Sequence, residues 1–277
     1  MFNVIFEENS VKVENVTCFS LSQTLDCGQA FRWREIAENV WQGVAFGHLL
    51  TIEKSGNTLI FHNTTKSQFL NIWQNYFDLD RDYDKIITEI SGNEILKTAS
   101  SFGEGIRILN QEPWETLCSF IISQNNNIKR IKGIIERLCT EFGEDMGGYY
   151  SFPTAEKIAT LTLDDLSVLR AGFRAKYILD AAQKVASKEI NLTDLKNYPY
   201  EKAQAELMKI KGVGPKVADC ALLFSHGQIS AFPKDVWIKR AMKVLFDGEL
   251  PKEAVPYAGI VQQYIFYYAR ETKLQID

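Results

Sequence analysis

The feature that most constrains this fold is a change in the spacing of apolar residues along the chain. The early runs VAFGHLLTIE and TLIFHN are rich in strand-forming residues, and the turn-prone KSGN separates them. TLDCGQAFRWREI has a similar character, with Gly28 interrupting it. From Ser67 onward, as in SQFLNIWQNYF, apolar residues recur every three or four positions. The sequence therefore predicts an α+β protein, with an antiparallel sheet followed by helices.

The balance of charged residues changes near the same place as the spacing of apolar residues. Residues 1–104 carry 8 Lys/Arg and 14 Asp/Glu, whereas residues 105–277 carry 23 and 21. We predict a β domain with helices over 1–107 and a helical domain over 108–277. The overall pI of 5.6 argues against a protein that binds nucleic acid over its whole surface, but it allows a local basic face.

Several protein classes are excluded by simple patterns. No apolar stretch approaches the ~18 residues of a membrane span, and the acidic N-terminus lacks the order of a signal peptide. The cysteines are odd in number and form no CxxC pair, which predicts neither disulfides nor a zinc or iron–sulfur site. We therefore expect an intracellular protein without metal or cofactor.

The second half of the chain reads as successive helices. Pro113 suits the first turn of one helix, and Gly143 suits the end of the next. The further helical segments are TAEKIATL, LDDLSVLRAG, RAKYILDAAQKVASKE, EKAQAELMKI, KVADCALLFSH, DVWIKRAMKVLF and AGIVQQYIFYYARE.

The stretch AELMKIKGVGPKVADCALLF predicts two helices joined by a tight turn. Gly212 and Gly214 allow the turn and leave backbone amides pointing outward, where they could hold a phosphate. Pro215 opens the second helix. The pattern is neither a Walker loop nor a dinucleotide fingerprint. A plain helix–turn–helix corner is the alternative interpretation.

Lys216 lies in the first turn of that second helix, where the helix dipole disfavours an ammonium and favours a neutral, nucleophilic amine. Cys220 follows four residues later, on the same face. Asp235, in AFPKDVWIKRAMKVLF, precedes another helix and suits an N-cap. A carboxylate there could also orient the amine or stabilise positive charge on a reacting sugar.

These motifs resemble the helix–hairpin–helix DNA glycosylase superfamily, in KGVGPKVADC followed by FPKDVW. CGQAFRW and SFIISQNNNIKRIKGIIERLC narrow the resemblance to the 8-oxoguanine DNA glycosylase family, and it extends from Leu25 to Arg270. The resemblance implies an N-terminal antiparallel domain similar to half of the TATA-binding protein fold. A helical helix–hairpin–helix glycosylase domain would follow it.

The resemblance also implies roles for single residues. Lys216 would attack C1′ of a flipped nucleotide, form an imine and permit β-elimination, assisted by Asp235. The carbonyl of Gly28 would accept the hydrogen that 8-oxoguanine carries on N7 and guanine lacks. Gln262 would read the Watson–Crick edge, while Phe266 and Cys220 would lie on opposite faces of the base.

Other residues are implied to contact the DNA around the lesion. Asn125 would fill the gap left by the flipped nucleotide, and Arg130 and Arg174 would bind the unpaired cytosine. Phe173 stands where relatives often have a tyrosine wedge, and Trp237 stands where they often have a histidine near a phosphate. These two departures leave the preference for the opposite base and the phosphate contact at Trp237 open.

The predicted function is therefore excision of 8-oxoguanine with strand cleavage, by a monomer bound to double-stranded DNA and not to a membrane. A monofunctional alkylbase glycosylase and a non-enzymatic helix–hairpin–helix DNA-binding protein are the alternatives, and Lys216 discriminates against both. We expect a cytoplasmic, nucleoid-associated protein if the source is prokaryotic, and a nuclear protein otherwise.

Overall fold

The structure is a computed structural model and describes residues 2–272. One antiparallel sheet of six strands lies at the N-terminal end, in the order β1-β2-β6-β5-β4-β3. The strands are β1 Asn3–Phe6, β2 Ser10–Glu14, β3 Trp33–Ala37, β4 Val40–Ala45, β5 His48–Ser55 and β6 Thr58–His62. The predicted α+β class is confirmed.

Two details of the sheet differ from the sequence prediction. VAFGHLLTIE is not one run, because β4 and β5 reverse at Phe46 and Gly47, which both have positive φ (50° and 74°). TLDCGQAFRWREI is not a strand throughout, because a short helix ends at Leu25 and β3 begins only at Trp33. The segment between them is irregular, which allows Gly28 to leave the plane of the sheet.

Helices form most of the remaining structure. The helices are α1 Leu21–Leu25, α2 Lys66–Gln68, α3 Gln74–Tyr76, α4 Tyr83–Ile90, α5 Glu94–Phe102, α6 Pro113–Ser123, α7 Ile128–Phe142, α8 Ala155–Ala159, α9 Arg174–Ala186, α10 Tyr200–Leu207, α11 Pro215–His226, α12 Val236–Phe246 and α13 Ala258–Glu271. A π-helical turn, Phe69–Trp73, joins α2 to α3. The predicted helix LDDLSVLRAG is instead a short 3-10 helix, Asp165–Leu169.

Local capping explains several helix boundaries. Asn127 accepts a hydrogen bond from the backbone N–H of Arg130 and begins α7, while Gly143 ends it. The run of three asparagines is therefore a turn followed by an N-cap. Pro215 starts α11 and Gly227, with φ 66°, ends it.

The buried side chains form two hydrophobic cores. One lies under the sheet and the 66–76 helical segment, and the other holds the helices from α6 to α13 together. Side chains of α4 and α5, including Ile86 and Leu96, belong to the helical core. Packing therefore assigns residues 83–102 to the helical body, whereas the predicted boundary at 107/108 assigns them to the β domain. That boundary stays a prediction.

The cysteines are free thiols, and four of them are buried. Burial raises the pKa of Cys27 and Cys220 to about 11, and that of Cys18 and Cys139 to about 12. The pKa of Cys118 is also raised by burial. Between residues 2 and 272, no helix is long and apolar enough to cross a membrane.

Candidate active site and DNA-binding surface

A cavity of about 180 Å³ opens where α6, α11 and α13 meet the irregular segment before β3. All six residues predicted to act on the damaged nucleotide line it, namely Lys216, Asp235, Gly28, Cys220, Gln262 and Phe266. They come from four separate parts of the sequence, so the fold brings them together. The cavity places an amine, a carboxylate and an aromatic ring around one space.

Lys216 lies in the first turn of α11 with its ammonium 5.4 Å from the ring centroid of Phe120. The Phe120 ring stacks on Phe224 at 5.3 Å and meets Phe31 edge to face. Burial raises the pKa of the Cys220 thiol, although the neighbouring Lys216 acts in the opposite direction. The side-chain nitrogen of Lys216 therefore lies over the ring of Phe120 and near the protonated thiol of Cys220.

The turn that precedes Lys216 is held tightly from α9. α10 ends at Leu207, three residues earlier than predicted, and Gly212 then turns with φ 78°. A Cβ on Gly212 would lie 2.4 Å from the ring of Tyr177, so no larger residue fits. Asp180 accepts a hydrogen bond from the backbone N–H of Lys211 at 2.8 Å. These contacts fix the start of α11, which carries Lys216, relative to α9.

Asp235 is the N-cap of α12. Its carboxylate accepts a hydrogen bond from the backbone N–H of Ile238 at 2.7 Å. The same side chain also lines the cavity. The capping and the catalytic interpretations are therefore compatible, because a cap that is fixed by the helix also holds a charge at the cavity.

The residues predicted to read the base also line the cavity. Gly28 has φ 97°, a conformation that favours glycine, and a Cβ there would meet no other atom within 4 Å. Gln262 is buried and Phe266 is partly buried, one turn apart on α13. An amide and an aromatic ring therefore project from one helical face toward the cavity.

A second group of predicted residues lies outside this cavity. Asn125 is exposed and has φ 47°, in the turn between α6 and α7. Arg174 is buried, and its guanidinium donates hydrogen bonds to the carbonyls of Gln124, Asn125 and Ala171. Arg174 therefore supports the turn that carries Asn125, and most of its N–H groups are already bonded to backbone carbonyls.

The remaining predicted contacts are more accessible. Arg130 is exposed and donates one hydrogen bond, at 3.3 Å, to the carbonyl of Arg170. Phe173 is 48% exposed and Trp237 is 56% exposed. Phe173 has a cation–π contact with Arg174, with 4.4 Å between the guanidinium carbon and the ring centroid. The exposed aromatic rings are available to DNA without rearrangement.

Not every basic residue near this surface is free to bind phosphate. Lys132 forms a 3.0 Å ion pair with Asp26. Arg137 donates two hydrogen bonds to the carbonyl of Leu169. Lys132 and Arg137 are therefore held by other parts of the protein.

A buried ion pair supports the segment that carries Gly28. Arg32 and Glu115 lie 3.4 Å apart, and both side chains are largely buried. Burial raises the pKa of Glu115 to about 7, while Arg32 acts in the opposite direction. The pair joins the residue before β3 to α6.

Some cavity residues were missed by the sequence analysis. They include Phe31, Phe120, Ser123, Asn126, Gln263 and Cys27. Cys27 and Gln263 are direct neighbours of predicted residues in the sequence. That adjacency was the available signal, but it did not show which way their side chains point.

This combination of fold and site places the chain in a known class of DNA repair proteins. Residues 118–254 match the family model of the "HhH-GPD superfamily base excision DNA repair protein". Residues 11–117 match that of the "8-oxoguanine DNA glycosylase, N-terminal domain". The two matches adjoin and cover most of the chain.

Individual proteins agree with this assignment. A solved structure described as MBOgg1 in complex with a low-affinity DNA ligand has a TM-score of 0.93 and 44% identity, covering 99% of both chains. The Clostridium acetobutylicum 8-oxoguanine glycosylase/lyase, solved with DNA containing cytosine opposite 8-oxoG, has a TM-score of 0.92 and 40% identity over 99% of both chains. A Saccharomyces cerevisiae N-glycosylase/DNA lyase is 32% identical over 80% of this chain and 67% of its own length. The chain belongs to the 8-oxoguanine DNA glycosylase family.

Proposed function

We propose that this protein removes 8-oxoguanine from double-stranded DNA and then cleaves the damaged strand. An amine cannot reach C1′ inside a duplex, so the nucleotide must first rotate out of the base stack into the cavity. The observation that carries the proposal is the meeting of Lys216, Asp235 and the base-reading residues at one cavity. We place the reaction on chromosomal DNA, carried out by a monomer in the cytoplasm of a prokaryote or in a nucleus.

The chemistry follows from these groups. The nitrogen of Lys216 forms a bond to C1′ while the bond from C1′ to N9 breaks, and the electron pair leaves with the base. The carboxylate of Asp235 stabilises the positive charge that develops on the sugar. The C1′–O4′ bond of the sugar then breaks, a proton from the nitrogen passes to O4′, and a protonated imine forms between C1′ and Lys216. Loss of a C2′ proton then expels the 3′ phosphate and nicks the strand.

Selection of the damaged base rests on other residues of the same cavity. A backbone carbonyl at Gly28 accepts a hydrogen bond from N7–H of 8-oxoguanine, whereas the lone pair on N7 of guanine repels it. Phe266 stacks on one face of the ring and Cys220 contacts the other. The exposed residues Asn125 and Arg130 fit contacts with the opposite strand.

Borohydride trapping tests the proposal against both alternatives. Wild-type protein incubated with an 8-oxoguanine duplex and borohydride should form a covalent adduct through the reduced imine. Lys216→Gln should form none and should lose excision, while it still binds the duplex. A monofunctional glycosylase predicts excision without an adduct, and a non-enzymatic DNA-binding protein predicts neither.

The matched control is Lys209→Gln. Lys209 lies before the same turn, and it forms a surface ion pair with Glu206. Removing its charge should leave the adduct yield close to that of the wild type. Absence of an adduct with wild-type protein would overturn the lyase assignment.

A further inference from the structure

A chain of buried polar side chains leads from Gln29 to the cavity, where Cys27, Gln263 and Gln262 line the wall. It begins at Gln29, whose amide nitrogen donates to the carbonyls of Thr24 and Arg107, each at 2.8 Å. The amide oxygen of Gln29 accepts from the backbone N–H of Leu109 at 3.0 Å. Because both ends of this amide are bonded to backbone groups, it cannot flip, and its nitrogen is the end that lies 3.4 Å from the sulfur of Cys27.

The next contact in the chain joins the thiol of Cys27 to the amide of Gln263. Burial raises the pKa of Cys27 to about 11, so the thiol hydrogen is present at neutral pH. With an amide nitrogen on one side of the sulfur, the S–H points away from it, toward the carbonyl of Thr24 at 3.5 Å or the amide oxygen of Gln263 at 3.7 Å. The amide oxygen of Gln263 is the end that lies near the thiol, and its nitrogen lies on the other side, toward Gln262.

That nitrogen reaches the residue predicted to read the base. Gln263 donates to the amide oxygen of Gln262 at 2.6 Å, and both side chains are buried. The amide nitrogen of Gln262 has no acceptor within residues 2–272, and it is not among the fully buried unpaired atoms there. It is the end of the amide left for a ligand in the cavity, which Gln262 lines.

We infer that Gln263 is a specificity-determining positioning residue, which fixes the amide of Gln262 in the orientation that matches a guanine-type Watson–Crick edge. The nitrogen of Gln262 then donates to O6 of the base, and the second lone pair of its oxygen remains for N1–H. An adenine-type edge has a donor at C6 and an acceptor at N1, so this orientation opposes it. The inference rests on the proposed function and deepens it.

The consequence is a division of labour in base recognition. The carbonyl of Gly28 tests oxidation, because only the oxidised ring carries a hydrogen on N7. The Gln263–Gln262 pair tests the identity of the purine, whether or not it is oxidised. An oxidised adenine satisfies the first test and fails the second.

Single-turnover excision from duplexes carrying 8-oxoguanine or 8-oxoadenine opposite cytosine tests this inference. Gln263→Met keeps the volume but leaves the amide of Gln262 free to flip. We expect excision of 8-oxoguanine to slow by about 10-fold and the ratio of the two rates to shrink by a similar factor. In Gln263→Glu, the ionised carboxylate can only accept a hydrogen bond from Gln262, so the amide of Gln262 turns over. At pH 6 a protonated carboxyl can still donate, as the wild-type amide does. The ratio of the two excision rates should therefore shift further toward 8-oxoadenine at pH 8 than at pH 6.

Tyr264→Phe is the matched control, since the buried hydroxyl of Tyr264 has no partner within the described chain. Its ratio should equal that of the wild type. If Gln263→Met and Gln263→Glu leave the ratio unchanged while the wild type excises 8-oxoguanine, Gln263 is only a packing residue and the inference is wrong. If the wild type excises neither base, the proposed function is wrong, and the inference about Gln263 is then wrong as well.

Discussion

The lesion cavity and the surface that faces the opposite strand differ in how their polar groups are held. Around the cavity, Asp235 is fixed as a helix cap and Gln262 by its neighbour, so both are in place before DNA binds. On the opposite-strand surface, Arg130 is exposed and Arg174 is bonded to carbonyls of its own chain. A preformed site loses little conformational entropy on binding, whereas most donors of Arg174 are already bonded to carbonyls of its own chain.

The comparison teaches that the two recognition tasks are separable. In the proposed function, the chemistry and the reading of the damaged base depend on groups that the fold has already positioned. The proposed reading of the opposite base depends on Arg130, which is exposed, and on Arg174, which is bonded to its own chain. Substitutions on the two sides should therefore change different measured quantities.

The largest expected effect tests whether Asp235 takes part in catalysis or only caps α12. Asparagine is as good an N-cap as aspartate, so Asp235→Asn keeps the bond to Ile238 and removes only the charge. We expect single-turnover excision to fall by about 100-fold or more, with the free energy of unfolding unchanged within about 0.5 kcal/mol. Urea denaturation and excision assays measure the two quantities.

Asp82→Asn serves as the matched control, because Asp82 caps α4 in the same way through Lys85 and does not line the cavity. It should change neither quantity. If Asp235→Asn excises at the wild-type rate, Asp235 is a cap alone and the catalytic interpretation is wrong.

A smaller effect separates the two arginines of the opposite-strand surface. Arg174→Met removes donors from several backbone carbonyls and should lower the free energy of unfolding by about 1–3 kcal/mol. Arg130→Met should change it by less than about 0.5 kcal/mol, since Arg130 is exposed.

Excision on duplexes with each of the four bases opposite the lesion completes this test. Both variants should lose preference for cytosine if both arginines bind it. If Arg174→Met loses stability but keeps the preference of the wild type, Arg174 acts only by supporting the turn at Asn125, and its predicted contact with cytosine is wrong.

The smallest effect concerns the ion pair between Arg32 and Glu115 and depends on pH. Because the pKa of Glu115 is raised to about 7, the folded protein retains a proton there that the unfolded chain releases above its usual pKa near 4.5. The stability of the wild type relative to Glu115→Gln should therefore fall as pH rises from 4.5 through 7 and level off above it. We expect a total change on the order of 2 kcal/mol, measured by urea denaturation between pH 5 and 8.

Glu206→Gln, which removes a carboxylate from a surface ion pair with Lys209, controls for the loss of one negative charge. Its stability relative to the wild type should vary little over the same range. A flat pH dependence for Glu115→Gln would show that Arg32 keeps Glu115 ionised in the folded protein.

Much of the fold could be predicted because local signals agreed with the final structure. The apolar period of α7, the asparagine before it and Gly143 after it all pointed to one helix. The reversal at Phe46 and Gly47 was missed because a phenylalanine with positive φ carries no turn signature, and the residues on both sides favour strands.

The sequence predicted which residues line the cavity better than it predicted the hydrogen bonds that hold the surrounding residues. Motifs identified Lys216 and Gln262, which the structure brings to one cavity. The burial of Arg174 and the link from Cys27 to Gln263 could not be predicted, because hydrogen bonds between distant segments leave no periodic trace in a sequence. Such links depend on tertiary packing alone.

The burial of the thiols has a consequence for a protein whose substrate arises under oxidative stress. Peroxide attacks the thiolate and not the protonated thiol. Burial raises the pKa of Cys220, beside Lys216, to about 11, so this thiol stays protonated at neutral pH. The oxidants that create 8-oxoguanine should therefore react slowly with Cys220, so the cavity stays unmodified when the number of lesions increases.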